Sequence, residues 1–383
     1  PPPSFESIAF GTPVLAQAVP TSPTEVWVDS GAHYSITNPL SGGSSGERWD
    51  AGGTASGTIS TPTSISPTYY HQFAHNLSYS LKGGGAPSPP ILSYVSFGSQ
   101  SSFALPPTGG TIWLDFDSPF SLPATLSGST LNERWQTDGV TSGTALRSES
   151  LSLAYYHQYL ISVSQAVDGG GTSSPTTFSY ELFGESTSAN TTGQQQNFWA
   201  DDGPYSVTNP LVGSTATERW YARAGNGSVL APGLINITYS HQFILAVTGG
   251  NIQSQWYDSG STATLSSQTV FGRASGTGFR ITSYSIDGGP ATSVNPSHGT
   301  VSIQLTMDVP HTLTFSSVMQ YEVTLDSEGR SSLNFITPPS ISGDDYWYDG
   351  GATVKVVLNG TWGRDSGTGT RLSSYAINGG PQN

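Results

Sequence analysis

Apolar and polar residues alternate along this chain far more often than they recur at helical spacing. Tyr155, His157, Tyr159 and Ile161 fall on one face of an extended segment. Val301, Ile303 and Leu305 share one face of another, with Ser302, Gln304 and Thr306 opposite. A period of two predicts half-buried β-strands. Turn signals punctuate the runs at Gly83-Gly84-Gly85, Gly169-Gly170-Gly171, Gly249-Gly250, Gly288-Gly289-Pro290 and Gly379-Gly380-Pro381. Short strands broken by turns at about every 8–12 residues predict antiparallel β-sandwiches.

The pattern repeats. Phe-Gly recurs at Phe10-Gly11, Phe97-Gly98 and Phe183-Gly184, 87 and then 86 residues on, and a tryptophan at Trp27, Trp113 and Trp199, 86 residues on each time. Glu-Arg-Trp recurs at Glu47-Arg48-Trp49, Glu133-Arg134-Trp135 and Glu218-Arg219-Trp220, and His-Gln at His71-Gln72, His157-Gln158 and His241-Gln242. Anchors held at one period mean tandem copies of one folding unit. A period of this size suits one immunoglobulin-like or fibronectin-like unit. The expected fold is therefore all-β: a tandem array of such β-sandwich domains in an extended rod. With His-Gln as the junction, 1–69 is a partial unit, 70–155 and 156–240 are full repeats, 241–319 is a shorter divergent repeat, and 320–383 is a partial repeat lacking its last strands.

The later copies diverge. Trp256 follows Trp199 after 57 residues and Trp347 follows after 91. Ser283-Tyr284-Ser285-Ile286-Asp287-Gly288-Gly289-Pro290 matches Ser374-Tyr375-Ala376-Ile377-Asn378-Gly379-Gly380-Pro381. The segment 307–313, Met-Asp-Val-Pro-His-Thr-Leu, is expected where the earlier copies carry Tyr-x-His-Gln. Trp27, Trp113, Trp199, Trp256 and Trp347, with Trp49, Trp135 and Trp220, are the structural anchors of the repeat, and Trp49, Trp135 and Trp220 are expected in core or interdomain packing. Exposed tryptophans would instead form a platform for carbohydrate.

Composition narrows the function. Only 10% of residues are charged, aromatics reach 11%, and no run of apolar residues is long enough for a membrane-spanning helix. The formal net charge of −14 with only Lys82 and Lys355 as lysines argues against nucleic acid and anionic membranes as partners. With no cysteine, disulfides, thiolate metal sites and cysteine catalysis are excluded. An acidic, Ser/Thr-rich chain of this kind suits the outside of a prokaryotic cell. Sequons at Asn76, Asn190, Asn226, Asn236 and Asn359 are candidate N-glycosylation sites.

Residues that resemble chemistry prove periodic. Asp29-Ser30-Gly31 and Asp258-Ser259-Gly260 resemble the paired motifs of aspartic proteases. Yet an aspartate stands two residues after a tryptophan five times, at Asp29, Asp115, Asp201, Asp258 and Asp349. A residue present in every copy serves the copy, most simply as a turn cap through its own backbone. Paired carboxylates (Asp115 with Asp117, Asp201 with Asp202, Asp344 with Asp345) are candidate Ca²⁺ ligands, but none has EF-hand spacing. His71, His157, His241 and His311 come one per unit, which keeps them from converging on a metal. No catalytic residue, cofactor or resident metal is expected.

The Tyr-Tyr-His-Gln-Tyr strand, the Trp-Tyr-Asp-Ser-Gly segment and the Thr-Met-Asp-Val-Pro-His-Thr-Leu strand end resemble repeats of large archaeal cell-surface proteins, which form S-layers, stalks and filaments and also trail thermopsin-like proteases. The resemblance spans nearly the whole chain and implies location and architecture, with no catalytic residue. The expected function is that of a non-catalytic structural protein of the cell exterior. Its partners are copies of itself or other surface-layer, pilus or filament subunits, together with covalent glycans. A glycan-binding adhesin is the alternative; a secreted aspartic protease would bring Asp29 and Asp258 together. Both end units read as incomplete. This suits either a segment of a longer repeat protein or subunits that complete each other by strand exchange, with open strand edges in the unit containing Trp347.

Overall fold

The computed structural model describes residues 2–171, 174–325, 333–344, 346–358, 360–365, 367–371 and 374–378. Among the described residues the protein is all-β; the one helical turn is a short 3-10 segment, Gly52–Ala55. The alternation seen in sequence is the burial pattern: along Glu149–Asp168, Leu153, Tyr155, His157, Tyr159, Ile161 and Val163 are buried on one face. The chain folds as two compact units, interleaved along the sequence.

The first unit comprises Pro1–Gln165, Thr176–Val207 and Ala224–Ile237. It contains three four-stranded sheets of one plan. Their strand orders are Thr12–Ala18, Ser4–Ala9, Ala32–Ile36, Ser56–Ile59; Ser142–Thr144, Pro119–Ser121, Ile91–Ser96, Ser99–Ala104; and Glu185–Thr191, Thr176–Leu182, Gly203–Val207, Gly227–Val229. In each, the Phe-Gly pair is the two-residue turn of the leading hairpin. Ala9 pairs Thr12, Ser96 pairs Ser99 and Leu182 pairs Glu185 across it.

Long strands form the facing layer. Tyr70–Lys82 is flanked at its start by antiparallel Glu47–Asp50 on one side and Gly110–Asp115 on the other. Its second half, 75–82, then pairs in parallel with 149–156, the first half of Glu149–Asp168. That strand in turn carries Glu133–Gln136 on one side and Gln196–Asp201 on the other. Leu77, Leu114, Leu153, Tyr155 and Trp135 from the long-strand layer bury a core against Leu92 and Phe120 from the hairpin sheet.

Two findings differ from the sequence expectation. The sandwiches are not purely antiparallel, because like strands of successive copies lie side by side in the same direction, as translation along a repeat requires. In addition, each long strand serves two copies, so the boundary expected near residue 156 falls within Glu149–Asp168 and that near 241 within Gly233–Thr248.

The second unit comprises Ala166–Pro175, Thr208–Arg223 and Thr238–Asn383. Here Glu218–Ala222 and Gln255–Asp258 flank the long strand, and His311–Glu322 pairs with it in parallel at residues 245–248. Thr277–Ile286 lies antiparallel to His311–Glu322. The hairpin Thr262–Gln268 with Thr300–Thr306 supplies Ala263, Leu265 and Ile303 to a core with Leu245, Ile281, Leu313 and Phe315. No Phe-Gly hairpin intervenes between the long strand and Gln255–Asp258, which accounts for the short step from Trp199 to Trp256. No helix among the described residues is long and apolar enough to cross a membrane.

Candidate functional site: the node of the repeat

The periodic polar residues meet at one place in each copy. The β-register sets Arg48, Gln72 and Asp115 in a row across three adjacent strands. Arg48 Nε donates to Gln72 Oε1 at 2.9 Å, and Gln72 Nε2 donates to Asp115 Oδ1 at 2.8 Å. The guanidinium lies 4.3 Å from the Trp113 ring centroid, a cation–π contact. Gln72 has no exposed surface, so its amide must be satisfied internally, and the row does so. The next copy repeats the geometry. Arg134 donates to Gln158 and Gln158 to Asp201, both at 2.8 Å, with Arg134 4.0 Å over Trp199. In the second unit the row is Arg219, Gln242 and Asp258, at 2.8 and 2.7 Å, with Arg219 4.2 Å over Trp256.

The aspartate does more than cap its own backbone, the role expected from sequence. Asp115 reaches back to the preceding hairpin, where the N–H groups of Phe97 and Gly98 donate to its two oxygens at 3.0 and 2.6 Å. Phe97 and Gly98 both have positive φ, 52° and 71°, as a type I′ turn requires. A phenylalanine there is strained, and the carboxylate together with a Tyr70 ring set edge-on at 5.9 Å offsets the strain. Phe183 on Tyr156, at 6.0 Å, with Gly184 N donating to Asp201 at 2.7 Å, repeats the arrangement.

The opposite face carries the remaining anchors. His71 stacks on Trp49 at 4.4 Å, His157 on Trp135 at 4.3 Å and His241 on Trp220 at 4.7 Å. Each histidine Nε2 lies 2.7 Å from the glutamate of its Glu-Arg-Trp: Glu47, Glu133 and Glu218. The glycine turns fit over these stacks. Trp135 Nε1 donates to the Gly84 carbonyl and Trp220 Nε1 to that of Gly170. A Cβ on Gly85 would lie 2.4 Å from the Trp135 ring, so only glycine fits there.

The divergent copy keeps the node with other residues. Gln320 donates to Asp349 at 3.0 Å, and Arg273, 4.3 Å over Trp347, donates to Gln320 at 2.8 Å. The strand position paired with Gln320 is Gly278, whose Cβ would stand 2.5 Å from the Arg273 side chain; its absence lets the arginine cross from one strand further out. Met319-Gln320-Tyr321, and not the segment 307–313, therefore occupies the His-Gln place. Arg280 also pairs with Asp349, and its hydrogen bonds hold that carboxyl below the usual range. Asp344 is pushed up by burial, but Arg273 and then His298 outweigh this and hold it low. Sequence reasoning missed Arg273, Gln320 and Arg280, because no Glu-Arg-Trp or His-Gln marks them.

The other candidates are placed as follows. Trp135 and Trp220 are buried; Trp49, Trp113, Trp199, Trp256 and Trp347 are half-buried; Trp27 is 82% exposed. Asp29 accepts from Phe10 and Gly11, and Asp258 from Gln242 and Arg223, so each aspartate of the protease-like pair is engaged within its own unit. His311 bonds Asp287 at 2.6 Å. Among the described residues no group of three or more His, Asp or Glu could hold a metal; Asp345 lies outside them. Asn76, Asn190, Asn226 and Asn236 are exposed, the side-chain carbonyl of Asn76 accepting from Thr111, that of Asn190 from Thr177 and that of Asn236 from Ser164. Asn359 and the turn Gly379-Gly380-Pro381 lie outside the described residues.

No protein-family profile matches the chain, and no curated protein sequence matches it. Among solved structures, it is similar to a leucine-rich repeat protein from Bacteroides thetaiotaomicron (10% identity, 44% of this chain and 26% of that one, TM-score 0.19). It is also similar to the Bacillus anthracis TIE protein (9%, 87% and 64%, 0.24) and a streptococcal ancillary pilin (8%, 75% and 95%, 0.19). The chain thus spans about a quarter of the first and just under two thirds of the second. TM-scores this low do not establish a shared fold.

Proposed function

We propose that this chain is a non-catalytic structural protein of the prokaryotic, archaeal cell exterior, contributing to a surface layer, stalk or filament through serial packing of its β-sandwich modules. The observation that carries the reading is the shared long strand. Tyr70–Lys82 gives its first half to the Glu47–Asp50 pairing and its second to Glu149–Asp168, with a buried Arg–Gln–Asp node where the partners change. Such coupling resists separation of neighbouring modules, because sliding them breaks a strand ladder and a buried polar row together. The polar groups with the most developed geometry are engaged within these nodes, which supports the non-catalytic reading. The acidic, cysteine-free, Ser/Thr-rich surface suits the outside of a cell. Immunogold labelling of intact cells with antibody to this chain tests the reading. Label on the envelope or its appendages is expected; label confined to the cytoplasm overturns it.

A further inference from the structure

The three hairpin sheets share one plan, and among the described residues each ends in a strand with a single partner: Thr12–Ala18, Ser99–Ala104 and Glu185–Thr191. A free strand edge offers unpaired N–H and C=O groups to any second strand, and proteins blunt such edges with proline, charge or irregular pairing. Two of the three are blunted. Thr12–Ala18 carries Pro13, and its pairing with Ser4–Ala9 shifts register. Glu185–Thr191 opens on the exposed Glu185. Ser99–Ala104 has no proline and no charge, and its pairing with Ile91–Ser96 runs without a shift. The Leu105 N–H donates to the Pro90 carbonyl, which sets the alternation of this ladder, so Gln100, Ser102 and Ala104 turn their N–H and C=O groups outward. All three residues are exposed. Pro13 stands at the position equivalent to Gln100, where it removes the first outward N–H.

We propose that Ser99–Ala104 is the interface through which two copies of this chain join, its edge pairing antiparallel with the same strand of the second copy. Charge favours that partner at this edge. The chain carries a formal net charge of −14, yet residues 83–114 contain no charged side chain, so two like-charged copies meet here without opposing carboxylates. A two-fold axis between the strands offers the outward N–H groups the carbonyls of an identical strand, and it joins two four-stranded sheets into one continuous sheet. This rests on the proposed role, in which copies of the chain pack into a surface assembly.

Sedimentation of the intact protein across a concentration series tests this, with amide hydrogen exchange followed at both ends of the series. A reversible dimer is expected, with protection at Gln100, Ser102 and Ala104 that grows with concentration. Gln100→Pro transplants the guard of the first copy and Ser99→Glu that of the third. Each should weaken the dimer about tenfold or more, while circular dichroism stays that of the parent. Ser186→Pro, at the matching position of the guarded third edge, should leave the dimer unchanged. A chain that stays monomeric up to about 1 mM, a dimer that keeps its strength in both Gln100→Pro and Ser99→Glu, or an equal loss in Ser186→Pro each overturns the proposal. Envelope labelling with a monomeric chain would leave the structural role standing and remove only the interface. Cytoplasmic label with the dimer intact would remove the surface role and leave the interface.

Discussion

Glutamine is an unusual residue to bury without exposed surface at a structural node, and its amide explains the choice. It accepts from a cation on one side and donates to an anion on the other, so one neutral side chain relays between Arg134 and Asp201. Burial lowers the Arg134 pKa and the charge of Asp201 opposes that shift, so the cation and anion are mutually dependent. Gln158→Ala strands both partners and should cost about 2–3 kcal/mol, read from urea unfolding. The turn glycines give a paired test. Gly98→Ala meets a left-handed φ and the Tyr70 ring at 2.9 Å, while Gly11→Ala meets only the φ penalty. Gly11→Ala should destabilise by about 1–2 kcal/mol and Gly98→Ala by distinctly more. A third site gives a pH signature. Burial lowers the His311 pKa, but Asp287 outweighs it and the net shift is upward from 6.5. Burial raises Asp287, but the Thr312 N–H and His311 outweigh it and the net shift is downward from 3.8. The histidine's stabilisation is therefore full below 6.5 and lost as pH rises through its folded value; the aspartate's is present above 3.8 and lost as pH falls through its own. Melting of His311→Gln against the parent should differ most between those limits, and the gap should close towards alkaline pH.

At the scale of strands, the sequence was legible where one element suffices. Alternation located the buried face of Tyr155, His157, Tyr159 and Ile161 within Glu149–Asp168, though not the length of that strand, and the period located every Trp, Asp, Glu-Arg-Trp and His-Gln of the regular copies. Partner choice was not legible. A period of two fixes which face is buried but says nothing of which neighbour a strand takes or in which direction, so the parallel pairing of 75–82 with 149–156 stayed hidden. The node was hidden for the same reason: Arg48, Gln72 and Asp115 are separated by whole elements and meet only through register. Arg273 needed a further fact, that Gly278 leaves room for it to cross a strand. Sharing a strand should also couple its halves. Leu153→Ala, in the half that pairs with 75–82, should reduce hydrogen-exchange protection at Gln196–Asp201, which pairs only with 158–163. Loss confined to 75–82 would mean the halves are independent.

At the scale of the molecule, copies that each complete a neighbour's sheet set a rule for how such a chain can change length. The duplicated stretch and the folded sandwich are out of phase, because one period cut anywhere splits an element that the adjoining copy restores. Excising residues 72–157 joins His71 to Gln158. It leaves a continuous long strand, with Arg48 facing Gln158 and Asp201 in place of Gln72 and Asp115. That shortened chain should melt cooperatively with the parent's β circular dichroism, whereas a deletion of half a period should not fold. Genetic recombination between copies would then be neutral for folding wherever it falls in the period, provided the phase is kept. Populations of such genes should differ in copy number far more readily than in the spacing within a copy.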